Sequence, residues 1–451
     1  RRGLNMSQQE GEVIETDRTG ECRCPHDHGT VLARYHMMEP EHVDMAVEAA
    51  LEARREWADT PWNHRAAVFL KMADLLAGPW RDTLNAATML GQSKSAHQAE
   101  IDSACEIIDF WRFNPWFAQR IYEEHPRSAP GVWNRMQYRP LEGFVYAVTP
   151  FNFTSIAANL PTSPALMGNV VLWKSARSAV YSAYHLRELF SEAGLPDGVV
   201  TLMLGSGGMM TGRLVARKEF AGLHFTGSTG TFQRLWRDIS DNIEHFDTYP
   251  RIVGETGGKD FVFVHASADP DAVVTALVRG AFEYQGQKCS AASRGYIPSS
   301  LWPELRERLL AEVASIEMGS PLDFTNFMNA VIDEGAFDDI TGYIEHVRAH
   351  GDEARIIAGG GYDKGEGYFI EPTVVEAIDP RARTMREEIF GPVLTLHVYE
   401  DDEFERALRL CDETSPYALT GAVFAKDRDA IVLAERTLVN AAGTFYINDK
   451  P

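Results

Sequence analysis

Cys289 lies in Gln285-Gly286-Gln287-Lys288-Cys289-Ser290, a small and polar stretch too rich in glycine for a helix core. A thiol so placed can be an exposed nucleophile; the plainer reading of a single cysteine is a small buried hydrophobe. Glu255 is bracketed by glycines in Val253-Gly254-Glu255-Thr256-Gly257-Gly258-Lys259. Such a carboxylate can move and approach a ligand, which suits a general base that activates water, although alone it reads as a turn with a solvated Glu. Asn152, in Thr149-Pro150-Phe151-Asn152-Phe153, could donate its amide to a developing oxyanion or simply mark a turn.

Two further stretches suit phosphate. Phe225-Thr226-Gly227-Ser228-Thr229-Gly230 ends a strand and opens a helix, where free N–H groups and the positive dipole end make a seat for pyrophosphate. A plain N-cap by Ser228 or Thr229 is compatible with that reading. Gly205-Ser206-Gly207-Gly208-Met209-Met210 approaches a dinucleotide fingerprint but has Met210 where the third glycine belongs. Cys22-Arg23-Cys24-Pro25-His26-Asp27-His28 offers four metal-binding side chains, yet the spacing is awkward for zinc. A hairpin with incidental Cys and His is the expectation there, and no metal is assigned.

These residues need elements to hold them. Apolar spacing predicts helices over 41–57, 64–77 and about 96–120. From Gly143 the texture changes to short strands at 144–148, 170–173, 199–203 and 222–225, with helices at about 178–193 and 208–217. This alternation is the signature of a doubly wound parallel sheet. A second α/β block has strands at 261–264, 293–297, 355–358, 393–398 and 422–424, with helices at about 268–282, 302–315, 402–411 and 427–437. Two α/β lobes in contact, with the site in a cleft between them, are expected.

The chain has 451 residues, 45% of them hydrophobic, and a net charge of −22. That composition excludes a disulfide mini-protein, a collagen-like chain and a disordered polyelectrolyte. Its field opposes binding to phosphate backbones and anionic membranes, so neither nucleic acid nor membrane is an expected partner. Five scattered cysteines indicate a reducing compartment, and Cys105 and Cys411 read as buried structural thiols inside helical runs. The longest apolar run, Ile156 to Trp173, is interrupted by Asn159, Pro161, Pro164 and Asn169 and does not read as a membrane span. Arg1–Met6 shows no signal-peptide pattern and no natural initiator position, and the chain stops soon after the strand-like 443–447. Both ends are read as cut.

Together these segments closely resemble the aldehyde dehydrogenase superfamily and, more narrowly, its pyrroline-5-carboxylate dehydrogenase branch. The likeness runs from about residue 31 to 451. It is densest in 149–154, 225–228, 254–260, Phe282-Glu283-Tyr284-Gln285-Gly286-Gln287-Lys288-Cys289-Ser290-Ala291 and Glu387-Glu388-Ile389-Phe390-Gly391-Pro392-Val393. Tyr446-Ile447-Asn448-Asp449-Lys450 belongs to the narrower pattern. The resemblance implies a helical N-terminal part plus Rossmann-like NAD-binding domain over 1–126 and 142–256. It places the first part of an oligomerisation flap at 127–141, a catalytic domain at 257–440 and the start of a bridging segment at 441–451. The implied reaction is NAD-dependent oxidation of L-glutamate γ-semialdehyde to L-glutamate, in a homo-oligomer of the bacterial cytoplasm or mitochondrial matrix. Cys289 is then the nucleophile, Asn152 an oxyanion donor and Glu255 the base. Lys174, Gly208, Gly227, Ser228, Glu388 and Phe390 would meet the cofactor; Glu100, Phe153, Lys288 and Ser290 would meet the substrate, with Glu100 facing its α-ammonium group.

One departure bears on the cofactor: the usual Trp-Lys-Pro-Ser-Asp reads Trp173-Lys174-Ser175-Ala176-Arg177, and Arg177 could pair with a 2′-phosphate, so NADP is an alternative to NAD. The resemblance also implies a substrate-anchoring glycine-rich segment beyond Pro451, so the chain as written is expected to turn over poorly. Competing readings are another ω-semialdehyde dehydrogenase, a non-catalytic homologue, or a module of a bifunctional proline-oxidising protein.

Overall fold

In the computed structural model, which describes residues 8–9 and 12–451, the chain divides into two units. The first comprises the described residues up to Cys24, Thr30–Gln92 and Ala99–Thr256; the second comprises Pro25–Gly29, Ser93–Gln98 and Gly257–Pro451. The reading of Arg1–Met6 falls outside the described residues. Strands Thr19–Cys24 and Asp27–His36 pair as the expected hairpin.

In the first unit, helices α1 (Pro40–Asp59), α2 (Trp62–Ala77), α3 (Arg81–Gln92) and α4 (Ile107–Glu123) lead into a five-stranded sheet. Its strands are β1 (Phe144–Val148), β2 (Val170–Lys174), β3 (Val200–Met203), β4 (Phe220–Thr226) and β5 (Arg251–Glu255). The order is β3-β2-β1-β4-β5 and every pair is parallel, which is the strand order of a doubly wound fold. Helices α5 (Thr154–Leu166), α6 (Val180–Ala193), α7 (Gly207–Val215) and α8 (Thr229–Ser240) connect the strands.

Period-two alternation explains why both faces are covered. Val145, Ala147, Val171 and Trp173 pack into one apolar layer with Phe69, Trp111 and Leu186. Their neighbours Phe144, Tyr146, Val170 and Leu172 join the opposite layer with Val43, Val47 and Leu214. Each such side chain, fully buried, contributes about 1.5–3 kcal/mol.

Helix α5 forms in spite of Pro161 and Pro164, and the apolar run from Ile156 is thus half helix, half strand. Pro164 has no N–H to offer the carbonyl of Leu160. That carbonyl instead accepts from His224 Nδ1 of β4 at 2.8 Å, so the sheet satisfies what the proline leaves open. The expected single helix over 96–120 is corrected: a short α turn at Ala96–Ala99 passes into a π-helical segment, Glu100–Glu106, before α4. Cys105 sits on that segment and is exposed, not buried as expected.

The second unit carries β6 (Asp260–Val264), β7 (Ala292–Pro298), β8 (Ala354–Ala358), β9 (Thr373–Ala377), β10 (Val393–Tyr399), β11 (Thr420–Phe424) and β12 (Thr444–Ile447). The order is β8-β9-β10-β7-β6-β11-β12, parallel except for β8 against β9. Phe261 and Phe263 point to the layer of α11 (Glu334–Ala349), α12 (Phe404–Thr414) and α13 (Arg428–Thr437); Val262 and Val264 point to that of α9 (Pro270–Phe282) and α10 (Trp302–Ala314). Among the described residues no helix is long and apolar enough to cross a membrane.

Candidate active site

The first sheet reverses its strand order between β1 and β4, where ligands sit at the carboxyl edge of doubly wound sheets. Register sets Val148 beside both Lys174 and Phe225, Lys174 beside Met203, and Thr226 beside Glu255. Asn152, Phe153, Lys174, Gly208, Gly227, Ser228 and Glu255 all lie at or just past these strand ends. The edge is therefore a product of register.

Local bonds hold each of them. Asn152 is buried in the loop between β1 and α5, and Phe153 is the residue before that helix. The first turn of α5 is capped from a distance: Asp102 accepts from the N–H of Thr154 at 2.9 Å and of Ser155 at 2.8 Å. This fixes the loop carrying Asn152 and was not foreseen. Its signal was a charged residue within the apolar spacing of a helical run. Glu255 ends β5, and its Oε2 accepts from Thr226 Oγ1 at 3.4 Å. Burial and the neighbouring Arg177 pull the Lys174 amine down to about 8.

The edge fits a dinucleotide phosphate. Ser228 caps α8, accepting from the Thr231 N–H at 3.4 Å. Oγ1 of Thr229 is buried with no hydrogen-bond partner in the protein. A Cβ built on Gly208 or Gly230 would meet nothing within 4 Å, while one on Gly227 would come 2.8 Å from the Phe225 ring. Space is open where phosphate must approach, and the glycine at 227 is required. The Glu100 carboxylate pairs with Arg81 and accepts from Asn85 Nδ2 at 2.6 Å. The Arg81 hydrogen bond keeps it below the usual carboxylate range.

In the second unit the chemistry gathers at the opposite, amino edge of the sheet. Asp260 begins β6, Ala292 β7, Val393 β10 and Thr420 β11. The segments just before them carry Gly257-Gly258, Cys289, and Glu388 with Phe390. Gly258 N–H donates to Glu388 Oε1 at 3.0 Å. A Cβ on Gly257 would fall 2.1 Å from that carboxylate, and one on Gly258 would fall 2.2 Å from the carbonyl oxygen of Cys289. Only glycines allow the Cys289 loop and Glu388 to close on one segment. Cys289 and Ser290 are half-buried, and Phe390 has a φ of 56°.

Beneath this turn Lys259 and Asp260 are buried, and neither Lys259 Nζ nor Asp260 Oδ2 has a hydrogen-bond partner. Burial, then Arg294, pulls the lysine down to about 7, and burial raises Asp260 to about 7. Burial also raises Glu388. Arg294 Nε donates to the Lys259 carbonyl at 2.8 Å.

The loop that carries Cys289 begins with three consecutive left-handed residues, Tyr284, Gln285 and Gly286, at φ 50°, 57° and 67°. For the two non-glycines this conformation costs about 1–2 kcal/mol each, which surrounding contacts must offset. Lys288 Nζ donates to Glu283 Oε2 at 3.1 Å, and Arg279 Nε to Oε1 at 2.6 Å.

The other thiols have different surroundings. Burial pushes Cys22 up to about 11 and Cys411 up to about 12. The Cys22 thiol donates to the Ser178 carbonyl at 3.3 Å, and His28 Nε2 meets the Lys364 carbonyl at 3.0 Å.

A model of the aldehyde dehydrogenase family matches residues 13–451. The mitochondrial delta-1-pyrroline-5-carboxylate dehydrogenase of Dictyostelium discoideum is 53% identical over 427 residues, 94% of this chain and 76% of that protein. A Mycobacterium tuberculosis delta-pyrroline-5-carboxylate dehydrogenase, solved bound with NAD, superposes with a TM-score of 0.96 at 50% identity, covering 100% of this chain and 83% of that one. The Thermus 1-pyrroline-5-carboxylate dehydrogenase with bound NAD gives 0.92 at 30% identity, over 99% and 85% of the two chains.

Proposed function

The chain belongs to the aldehyde dehydrogenase family, and from that premise we propose how its residues oxidise L-glutamate γ-semialdehyde, the open form of 1-pyrroline-5-carboxylate, to L-glutamate with NAD. One observation carries the reading: Cys289 and Glu388 close on the same Gly257-Gly258 turn, so nucleophile and cofactor-side carboxylate share one support.

Cys289 attacks the aldehyde carbon as thiolate and forms a thiohemiacetal. The Asn152 amide and the Cys289 N–H hold the oxyanion. NAD, when bound, supplies the hydride acceptor. Ser228 and Gly227 would hold its pyrophosphate, Gly208 its adenine side, Lys174 its adenosine ribose, and Glu388 and Phe390 its nicotinamide riboside. Loss of hydride leaves a thioester on Cys289. Glu255 takes a proton from water, whose oxygen attacks the acyl carbon; the carboxylate departs and the thiolate returns. Phe153, Lys288 and Ser290 line the substrate. Glu100 faces the α-ammonium group only by sharing its carboxylate with Arg81 and Asn85.

Exposed Arg177 leaves an NADP side-activity to be measured beside NAD. The arm 127–141 exposes Val132, Trp133 and Met136, and we assign it to contact with further copies in a homo-oligomer. The compartment is the mitochondrial matrix in a eukaryote and the cytoplasm in a bacterium.

The test is product analysis. With semialdehyde and NAD, the protein forms glutamate and NADH in equal amounts, and Cys289→Ser forms neither. Undiminished turnover by Cys289→Ser would overturn the scheme.

A further inference from the structure

The left-handed turn before Cys289 is fastened by two side-chain amides that the mechanism above does not use. Gln285, 1% exposed, donates through Nε2 to the carbonyls of Ser93 at 3.2 Å and Ala330 at 2.8 Å. Its Oε1 accepts from the Asn329 N–H at 3.0 Å. Gln287 is fully buried, and its Oε1 accepts from the Ile332 N–H at 2.9 Å. Behind them Ser93 Oγ accepts from the Ala330 N–H at 3.2 Å and lies 3.2 Å from His26 Nδ1. Burial holds His26 below its usual range. A Cβ on Gly286 would fall 2.4 Å from the Gly391 carbonyl, so the turn is packed closely against that side.

We propose that Gln285 is a positioning residue for the Cys289 thiol. With Gln287 as a second tie and the Ser93–His26 pair as its outer anchor, it holds a left-handed turn that would otherwise relax. It thereby fixes the direction from which Sγ meets the aldehyde. The inference rests on the reading of Cys289 as nucleophile. Three polar contacts to segments 44, 45 and 192 residues distant hold one turn in an unfavourable conformation. Nucleophilic attack is sensitive to placement, and a displacement near 1 Å lowers rates about 100-fold.

The experiment compares Gln285→Met, similar in length but without the hydrogen bonds, with Gln285→Glu. Alkylation of Cys289 by iodoacetamide is followed across pH by peptide mass spectrometry, with exposed Cys105 as internal control. Expected for Gln285→Met is a kcat lower by about 100-fold, an unchanged KM for NAD, and a displaced alkylation–pH profile at Cys289 alone. A carboxyl at 285 regains one donated bond when protonated, so the deficit of Gln285→Glu narrows as pH falls. A folded Gln285→Met with unchanged kcat and alkylation profile overturns the proposal. Should that variant fail to fold, His26→Ala tests the outer anchor: a slowed, displaced Cys289 profile supports the proposal, and an unchanged one overturns it. Alkylation needs no substrate. If the parent protein fails to oxidise the semialdehyde while Cys289 still answers to Gln285, the functional reading falls and the positioning role stands.

Discussion

At the scale of residues, two carboxylates take different parts because their surroundings differ. Glu255, half-buried, ends a strand between Gly254 and Thr256 and accepts from the Thr226 hydroxyl. Glu388 is fixed by the Gly258 N–H over a buried lysine and carboxyl whose charges are muted. The first, at the sheet edge that also carries Asn152, is the one we propose as the water-activating base. Glu255→Gln is accordingly expected to slow thioester hydrolysis by about 10²–10⁴-fold while sparing the first turnover. Intact mass spectrometry during the reaction should show the acylated protein; its absence, with a normal steady state, would rule Glu255 out as the base.

Elements decide where these residues point. Helix α5 carries Asn152 at its approach, and its first turn depends on Asp102 from the π-helical segment. Removing both charged hydrogen bonds in Asp102→Ala should cost about 2 kcal/mol in urea unfolding. It should also lower kcat, because the loop two residues before the cap loses its anchor. A variant as stable and as active as the parent would show that the cap is dispensable. Most strands and helices were legible because both sheets are built from short β-rich runs with regular helices between them; β9, α3 and α11 were not read. Less legible were α5, hidden by two prolines of which only Pro164 has its freed carbonyl met by His224, and the π-helical segment. Neither the partner of a proline-freed carbonyl nor an extra residue in a helical turn leaves a mark in local periodicity.

For the whole molecule, burial rather than composition sets how stability responds to pH. Lys174 is pulled down to about 8 from an ordinary 10.5. Between those values the unfolded chain binds a proton that the folded chain has released, so the folded state gains stability as pH rises through the window. Without cofactor, Lys174→Met is expected to be favoured relative to the parent at neutral pH, with that advantage shrinking as pH approaches 10.5. Denaturation midpoints for both proteins across this range check the sign, and a difference that does not change with pH would refute it.

Residue types and spacing by themselves singled out the thiol, the glycine-bracketed Glu255, the helix-opening turn at 225–230 and the α/β alternation. Those are local properties: a nucleophile needs a flexible polar setting, and a helix start needs a cap. Tertiary structure alone decided the rest. Register drew residues from five strand ends to one edge, Asp102 reached across to cap α5, and Gln285 tied the nucleophile turn to segments far away in sequence. Such contacts follow from how strands align and which buried polar groups must find partners, and neither is written in any single stretch of chain.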